Sequence, residues 1–132
     1  MIKLLDAEQI IAINKKICLA FNNPHHCFDS GKIESALHSA FYPGTPPFLY
    51  GGVPKIAAAM AFFLVKAHGF VDGNKRTGAL ASTIFLDLNG FSLRYSENPD
   101  AFFDIINGCA AGQISKEDMI GWYDIHKVKA FN

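Results

Sequence analysis

The sequence predicts an all-α fold, a compact bundle of about six helices with an irregular flap before a central helix. Three observations support this prediction. Apolar residues recur at helical spacing through most of the 132 residues, nearly every such segment begins at a capping residue, and strand character is confined to one short stretch. The segment KIAAAMAFFLVKA, residues 55–67, is apolar on all sides, which predicts a buried helix at the centre of the bundle.

The first helix is predicted from a capping box. Asp6 precedes the apolar periodicity and Gln9 follows three residues later, so each side chain can bond the backbone of the other. Leu5 and Ile10 are spaced as a hydrophobic staple around this cap. The helix is expected to run for about four turns and to end before Asn22.

The next elements are bounded by caps and breakers. A second helix is predicted after a cap at Asp29 or Ser30. The stretch from Tyr42 to Gly52 carries three prolines and three glycines and is predicted to be the flap. Pro54 then opens the central helix.

The second half of the chain carries three more helix signals. A helix is predicted from Arg76 to Asn89, with Leu80, Ile84 and Leu88 as its apolar stripe. The following FSLRY, residues 91–95, alternates and predicts a short extended segment.

The last two helices are predicted from their caps. Asn98 caps the first of them, with Pro99 at the first helical position. Ser115 and Asp118 form a capping box for a terminal helix, ISKEDMIGWYDIHKV, residues 114–128.

Composition excludes several classes of protein. The length fits one domain, residues 1–132. Twelve basic residues balance twelve acidic ones, so there is no global field for nucleic acid or an anionic membrane, and any anion site must be local. The longest apolar run, residues 56–65, is too short to span a bilayer, and the N-terminus lacks the features of a signal peptide. Cys18, Cys27 and Cys109 form no C-x-x-C pair, which favours a reducing, cytoplasmic setting.

The most polar cluster of the chain, HGFVDGNKRTG at residues 68–78, lies between two apolar segments. It predicts a tight loop between two helices. Gly73 permits a positive φ, and the free N–H groups of the next helix face an anion together with the helix dipole. Lys75 and Arg76 add positive charge, and Asn74 has an amide that can donate. These features favour a phosphate site.

Two further residues of this loop suggest catalysis. Asp72 supplies an oxygen ligand suited to the Mg²⁺ that accompanies nucleoside triphosphates. His68 has the side chain whose ordinary pKa suits general base catalysis near neutrality. The alternative that spacing alone leaves open is a solvated helix N-terminus without a ligand.

The same segment resembles the signature of the Fic/Doc superfamily, H-x-F-x-D/E-G/A-N-G/K-R. The matching residues are His68, Phe70, Asp72, Gly73, Asn74, Lys75 and Arg76. The stretches GKIESAL (31–37), GALASTIFLDLNGF (78–91) and GCAAGQIS (108–115) also resemble the short Doc, or death-on-curing, branch. The chain is therefore identified as a member of this superfamily, which is all-helical.

The resemblance implies a role for each matching residue. His68 is implied to be the general base for a hydroxyl of a target protein, Asp72 to bind the metal, and Phe70 to anchor the loop in the core. The implied anion nest consists of Gly73, Asn74, Lys75 and Arg76.

Two positions depart from the commoner adenylyl-transferring pattern. Lys75 stands where that pattern has Gly, and Ala79 stands where it has a second Arg that holds the terminal phosphates. Both departures resemble the Doc branch, which implies a protein kinase with the nucleotide bound the other way round.

The resemblance thus implies the toxin of a toxin-antitoxin pair, using ATP or another nucleoside triphosphate with Mg²⁺. The implied partners are an antitoxin and a protein substrate in the translation machinery, with elongation factor Tu as the leading candidate. Two alternatives remain: an adenylyltransferase using the same loop, and a non-catalytic protein that binds an antitoxin or acts as a co-repressor.

Several other polar residues are interpreted as structural. His25 and His26 are expected in a solvated turn, because no third metal ligand accompanies them. The segment from Ser30 to Glu34 loosely resembles the inhibitory helix of some Fic proteins, but Ser30 is interpreted as a cap and Glu34 as a surface residue. The aromatic side chains expected to pack the core are those of Phe62, Phe63, Phe85, Phe102 and Phe103.

Overall fold

The computed structural model describes residues 2–26, 29–41, 50–95 and 98–129. Within them the chain forms six helices and one two-stranded sheet, which confirms the all-α prediction. The elements are α1 (Ala7–Ala20), α2 (Ser30–Phe41), α3 (Val53–Ala67), α4 (Asn74–Leu88), β1 (Phe91–Leu93), α5 (Ala101–Ala110), α6 (Lys116–His126) and β2 (Lys127–Lys129). No helix in these ranges is long and apolar enough to cross a membrane.

Helix α1 begins at the predicted capping box. The backbone N–H of Gln9 donates to Asp6 Oδ1 at 2.8 Å, and the N–H of Asp6 donates to Gln9 Oε1 at 2.9 Å. Leu5 and Ile10 are both buried beside this cap. Two donors of the first turn are therefore satisfied by side chains, and the direction of α1 is fixed from its first residue.

Helix α2 is capped by Asp29. The N–H of Gly31 donates to Asp29 Oδ1 at 2.9 Å, and Ser30 is the first helical residue. The interpretation of Ser30 as the cap is thus wrong. The carboxylate of Asp29 accepts the backbone N–H that the side chain of an N-cap residue normally accepts. Residues 42–49 of the predicted flap lie outside the described residues.

Helix α3 is the centre of the bundle, as predicted from its uniform hydrophobicity. Residues Ile56 to Ala61 are completely buried, and Leu64 and Val65 nearly so. The helix packs most extensively against α4, α2 and α6, and also contacts α5. Burial on every side fixes α3, so the loop that leaves its C-terminal end starts from a rigid position.

Helix α4 lies unusually close to α3. A Cβ atom on Gly78 would lie 2.8 Å from Val65 Cγ2 and 3.2 Å from the carbonyl oxygen of Ala61. Only glycine fits this separation without displacing its neighbours. The close approach sets the position of α4, and with it the position of its N-terminus.

The predicted face of α4 is wrong. Leu80 and Leu88 are each 42% exposed, whereas Ala81, Ser82 and Phe85 are completely buried. The helix turns its small residues towards α3 because they allow close packing, and this places the larger leucines outside. The helix also begins at Asn74, two residues before the predicted start.

Ser82 links the buried face of α4 to α6. Its hydroxyl donates to the carbonyl of Ala79 at 2.8 Å, so the hydroxyl of Tyr123 donates to Ser82 Oγ, at 2.7 Å. Burial raises the pKa of Tyr123, which keeps this donor protonated.

The C-terminal half departs from prediction at two element boundaries. The predicted extended segment is confirmed as β1. The residues of its antiparallel partner β2 were expected to belong to the terminal helix, but that helix ends at His126. Asn98 and Pro99 were predicted to be the cap and the first residue of α5, but the helix begins only at Ala101. They form a turn before it, in which the N–H of Asp100 donates to Asn98 Oδ1. The capping box at Ser115 is confirmed.

Replacing Gly78 by alanine tests the α3–α4 contact. The added methyl group meets Val65 and Ala61, so we expect Gly78→Ala to lower the free energy of unfolding by about 1–3 kcal/mol in urea denaturation. Gly121→Ala is the matched control, because a Cβ there meets nothing within 4 Å in the exposed face of α6. Helix propensity should make it more stable by roughly 0.5–1 kcal/mol. Equal effects of both substitutions would contradict the close contact.

Candidate active site

His68 ends α3 in a left-handed backbone conformation, with φ 50° and ψ 45°. His68 is exposed and lines a cleft of the described structure. A positive φ is uncommon for residues other than glycine, although histidine adopts it more often than most, and glycine is the residue that usually ends a helix in this way. The backbone conformation alone would therefore favour glycine at this position.

The loop after His68 is closed by the side chain of Asn74. The N–H of Phe70 donates to Asn74 Oδ1 at 3.1 Å, and Asn74 Nδ2 donates to the carbonyl of Phe70 at 2.9 Å. The ring of Phe70 is buried, only 4% exposed. The side-chain amide of Asn74 thus holds the loop closed. In the part of the chain that the structure describes, the backbone N–H of Asn74 remains free to bind a ligand.

The segment between α1 and α2 supports the same loop from behind. The N–H of Val71 donates to the carbonyl of His26 at 3.1 Å, and the N–H of Asp29 donates to the carbonyl of Gly69 at 3.0 Å. These two bonds hold the loop backbone on both sides of Phe70, so its polar residues are presented from a fixed support.

Gly73 is the N-cap of α4 with φ 79° and ψ 15°, the positive φ that its lack of a side chain permits. Its carbonyl accepts the first bond of the helix, from the N–H of Thr77 at 2.8 Å. Among the described residues, no acceptor is bonded to the backbone N–H groups of Asn74, Lys75 and Arg76. Three free donors and the positive end of the helix dipole therefore face the cleft, an arrangement that binds anions.

Asp72 stands beside this helix start. Its Oδ1 accepts the N–H of Gly73 at 2.7 Å, which orients the carboxylate, and the residue is half-buried in the cleft. In the described part of the chain no three His, Cys, Asp or Glu side chains form a metal cluster. One carboxylate together with phosphate oxygens and water is nevertheless a usual set of ligands for Mg²⁺, so the residues present fit that ion.

One cleft of about 630 Å³ is lined by all the residues that were predicted to form the catalytic, metal and anion sites: His68, Asp72, Gly73, Asn74, Lys75 and Arg76. Ala79 also lines it, and its methyl group leaves this part of the wall without charge. The structure thus brings a histidine, a carboxylate and a cationic helix N-terminus to one space.

The opposite wall of the cleft comes from α5 and was not predicted. It consists of Phe103, Ile106, Asn107 and Ala110. Phe103 was expected in the core, yet it is 60% exposed. The helix buries the stripe that contains Ile106, and Phe103 lies to one side of that stripe, at the edge of the cleft.

Asn14 of α1 is the supporting residue that the sequence interpretation missed. It is completely buried, and its Nδ2 donates to the carbonyl of Asp72 at 2.9 Å and to Thr77 Oγ1 at 3.0 Å. Its Oδ1 accepts from Cys18 Sγ at 3.6 Å and lies 2.8 Å from His25 Nδ1. An amide oxygen only accepts, so Nδ1 is the protonated nitrogen of His25. Asn14 therefore joins α1 to the loop and to α4.

Two expectations change with this network. His25 is half-buried and bonded to Asn14, so its assignment to a solvated turn is wrong. Burial, and secondly the Asp72 carboxylate, raise the pKa of the Cys18 thiol, which keeps it a donor. The available signal was the spacing of Asn14 with Ile10, Ile17 and Cys18, which puts one polar residue on the buried face of α1.

Comparison with known proteins agrees with the motif. A sequence profile described as the Fic/DOC family matches residues 4–86, which span α1 to α4 and include the whole loop. The chain is also similar to a protein named Toxin Doc from Mycolicibacterium smegmatis (strain ATCC 700084 / mc(2)155). The two are 29% identical over 113 residues, which are 83% of this chain and 82% of the relative. The resemblance inferred from the sequence is confirmed.

Replacing Asn14 by leucine tests the link between α1 and the loop. The change keeps a similar volume but leaves the carbonyl of Asp72 and the hydroxyl of Thr77 without this donor. We expect the free energy of unfolding to fall by about 1–3 kcal/mol, measured by urea denaturation. Lys15→Leu, on the exposed face of the same helix, is the matched control and should change it by no more than about 0.5 kcal/mol. An Asn14→Leu protein as stable as its control would show that these bonds add nothing.

Proposed function

This chain belongs to the Fic/DOC family, and we propose that it is a Doc-like toxin that transfers the γ-phosphoryl group of Mg-ATP to a hydroxyl of a target protein. The observation that carries the proposal is the convergence of His68, Asp72 and the N-terminus of α4 on one cleft. Similarity to a relative named Toxin Doc supports the same class of protein. We further propose a target in the translation machinery, with elongation factor Tu as the leading candidate.

The α4 N-terminus supplies the phosphate site. The free N–H groups of Asn74, Lys75 and Arg76 donate to phosphate oxygens, and the side chains of the last two add positive charge. The exposure of both cations leaves them accessible to a nucleotide that enters from solvent. The group bound at this nest is the one that lies beside His68 and Asp72.

His68 acts as the general base in this proposal. Its imidazole takes the proton of the target hydroxyl as that oxygen attacks the γ-phosphorus, and the bond from the γ-phosphorus to the bridging oxygen breaks to release ADP. Asp72 would hold Mg²⁺, which neutralises the charge that develops on the phosphate oxygens. The chain itself contributes the base, the nest and their fixed separation on a rigid loop.

Lys75 and Ala79 favour the γ-phosphate over the α-phosphate. Lys75 adds a cation and occupies space at the nest, which suits a terminal phosphate with several free oxygens better than one joined to ribose. Ala79 lines the cleft without the positive charge that would hold distal phosphates there. Both differences favour binding the terminal phosphate at the nest.

Labelled ATP distinguishes the two transfers. The protein is incubated with purified elongation factor Tu, and separately with a bacterial cell extract, and with ATP labelled at either the α or the γ position. We expect label from the γ position alone to appear on a protein acceptor, detected by electrophoresis and autoradiography. Label from the α position would show that the chain is an adenylyltransferase. No label from either would favour a non-catalytic binding protein.

Two variants of His68 serve as the catalytic control. We expect His68→Ala and His68→Gly to transfer no label, and His68→Gly to be at least as stable as the parent because glycine adopts φ 50° without strain. His38→Ala, on the exposed side of α2, is the matched histidine control and should transfer label at the parental rate. A folded His68→Gly protein with full transfer activity would remove His68 from the mechanism.

The toxin proposal includes a separate antitoxin. Glu34, in the segment compared with inhibitory helices, is exposed and is not among the residues lining the cleft. Val71 and Phe103 line the cleft and are 57% and 60% exposed, so they offer apolar surface that an antitoxin helix can cover. Such a helix would exclude the nucleotide.

Growth of bacteria that express the chain checks this partner. Expression alone should slow growth, and co-expression of the small protein encoded beside it should restore growth. Phe103→Asp should weaken the rescue, because it puts charge on the surface that the antitoxin helix covers. A harmless chain that is folded and retains its cleft residues would contradict the toxin proposal.

A further inference from the structure

Phe21 lies against the guanidinium group of Arg76. The central carbon of the guanidinium is 3.9 Å from the centroid of the Phe21 ring and lies over the ring face. The two residues come from distant parts of the sequence: Phe21 ends α1, and Arg76 is in the first turn of α4. The contact therefore crosses from α1 to the candidate phosphate nest.

Burial does not account for the position of Phe21. The residue is 54% exposed and is not part of the hydrophobic core. A ring in this position contributes little apolar burial to the stability of the fold, whereas it covers part of a charged group that lines the cleft. The contact with Arg76 is the feature that distinguishes Phe21 from Leu19, an apolar neighbour at the same end of α1 that is 70% exposed.

The contact leaves the hydrogen-bond donors of Arg76 available. Within the described residues, the guanidinium has no carboxylate within ion-pair distance and no hydrogen-bond acceptor. A ring attracts the guanidinium through its π face and does not require a carboxylate or carbonyl partner. An ion pair would hold the same side chain but would consume donors that a phosphate needs.

The ring is itself held in a fixed position relative to the nest. Asn14, Cys18 and Phe21 are spaced four and three residues apart, so they fall on one side of α1. Asn14 bonds the carbonyl of Asp72 and the hydroxyl of Thr77, on either side of the nest. The helix that carries Phe21 is thus bonded directly to the segment that carries Arg76.

We infer that Phe21 is a positioning residue that holds the Arg76 guanidinium with its donors free to bind nucleotide phosphate. The inference rests on the proposed function in so far as a nucleotide occupies the cleft. It does not depend on which phosphate is transferred. An exposed arginine samples many rotamers, and a ring that restricts them reduces the entropy lost on binding.

Binding of Mg-ATP to the purified protein, measured by isothermal titration calorimetry, tests this inference. The variants are Phe21→Leu, Phe21→Trp and Leu19→Ala as the matched control. We expect Phe21→Leu to weaken binding about two- to fivefold, as loss of an exposed cation–π contact implies. Phe21→Trp should bind Mg-ATP at least as tightly as the parent, and Leu19→Ala should match the parent, with all melting temperatures unchanged.

A second series separates positioning of Arg76 from a general effect of the ring. In an Arg76→Ala background, Phe21→Leu should cause no further loss of Mg-ATP binding. The inference is overturned if Phe21→Leu binds Mg-ATP as tightly as the parent, or if it weakens binding equally in the Arg76→Ala background. Absence of Mg-ATP binding by the parent would instead overturn the proposed function, and this inference with it.

Discussion

The site depends on one buried amide. Asn14 bonds the backbone before the start of α4 and the first-turn hydroxyl of Thr77, so one side chain fixes the loop, the helix start and α1 relative to one another. A buried amide with all its hydrogen bonds made stabilises one arrangement, because any displacement leaves polar groups unpaired in the interior. The loop itself contains two glycines and has little intrinsic rigidity. Its geometry is imposed by its hydrogen bonds to Asn14, to the side chain of Asn74 and to the backbone of His26 and Asp29.

Local chemistry explains what the sequence could predict. The boxes at Asp6 and Ser115 depend on residues three apart, and the positive φ of Gly73 follows from the absence of a side chain; all three appear in the structure. The convergence of the loop residues on one cleft was predicted from the same short stretch, since the motif carries its own turn.

The errors occur where the decisive partner is distant in sequence. The buried face of α4 is set by its distance from α3, whereas the most apolar stripe in its sequence lies on a different side of the helix. Phe103 belongs to an apolar helix, yet the cleft beside it is formed by a segment far earlier in the chain. Asn14 could be recognised as an exception on an apolar face, but its partners could not be identified before α1 was placed against α4.

The bond from Asn14 to Thr77 joins residues 63 positions apart. The short loop motif therefore does not contain all the residues that form the site. A fragment that begins after Phe21 would retain every residue of the loop signature. It would nevertheless lack the group that pairs the carbonyl of Asp72 and the ring that lies against Arg76. Matching the signature in another chain therefore identifies the loop alone, and a helix able to bond it from behind has to be sought separately, far upstream in that sequence.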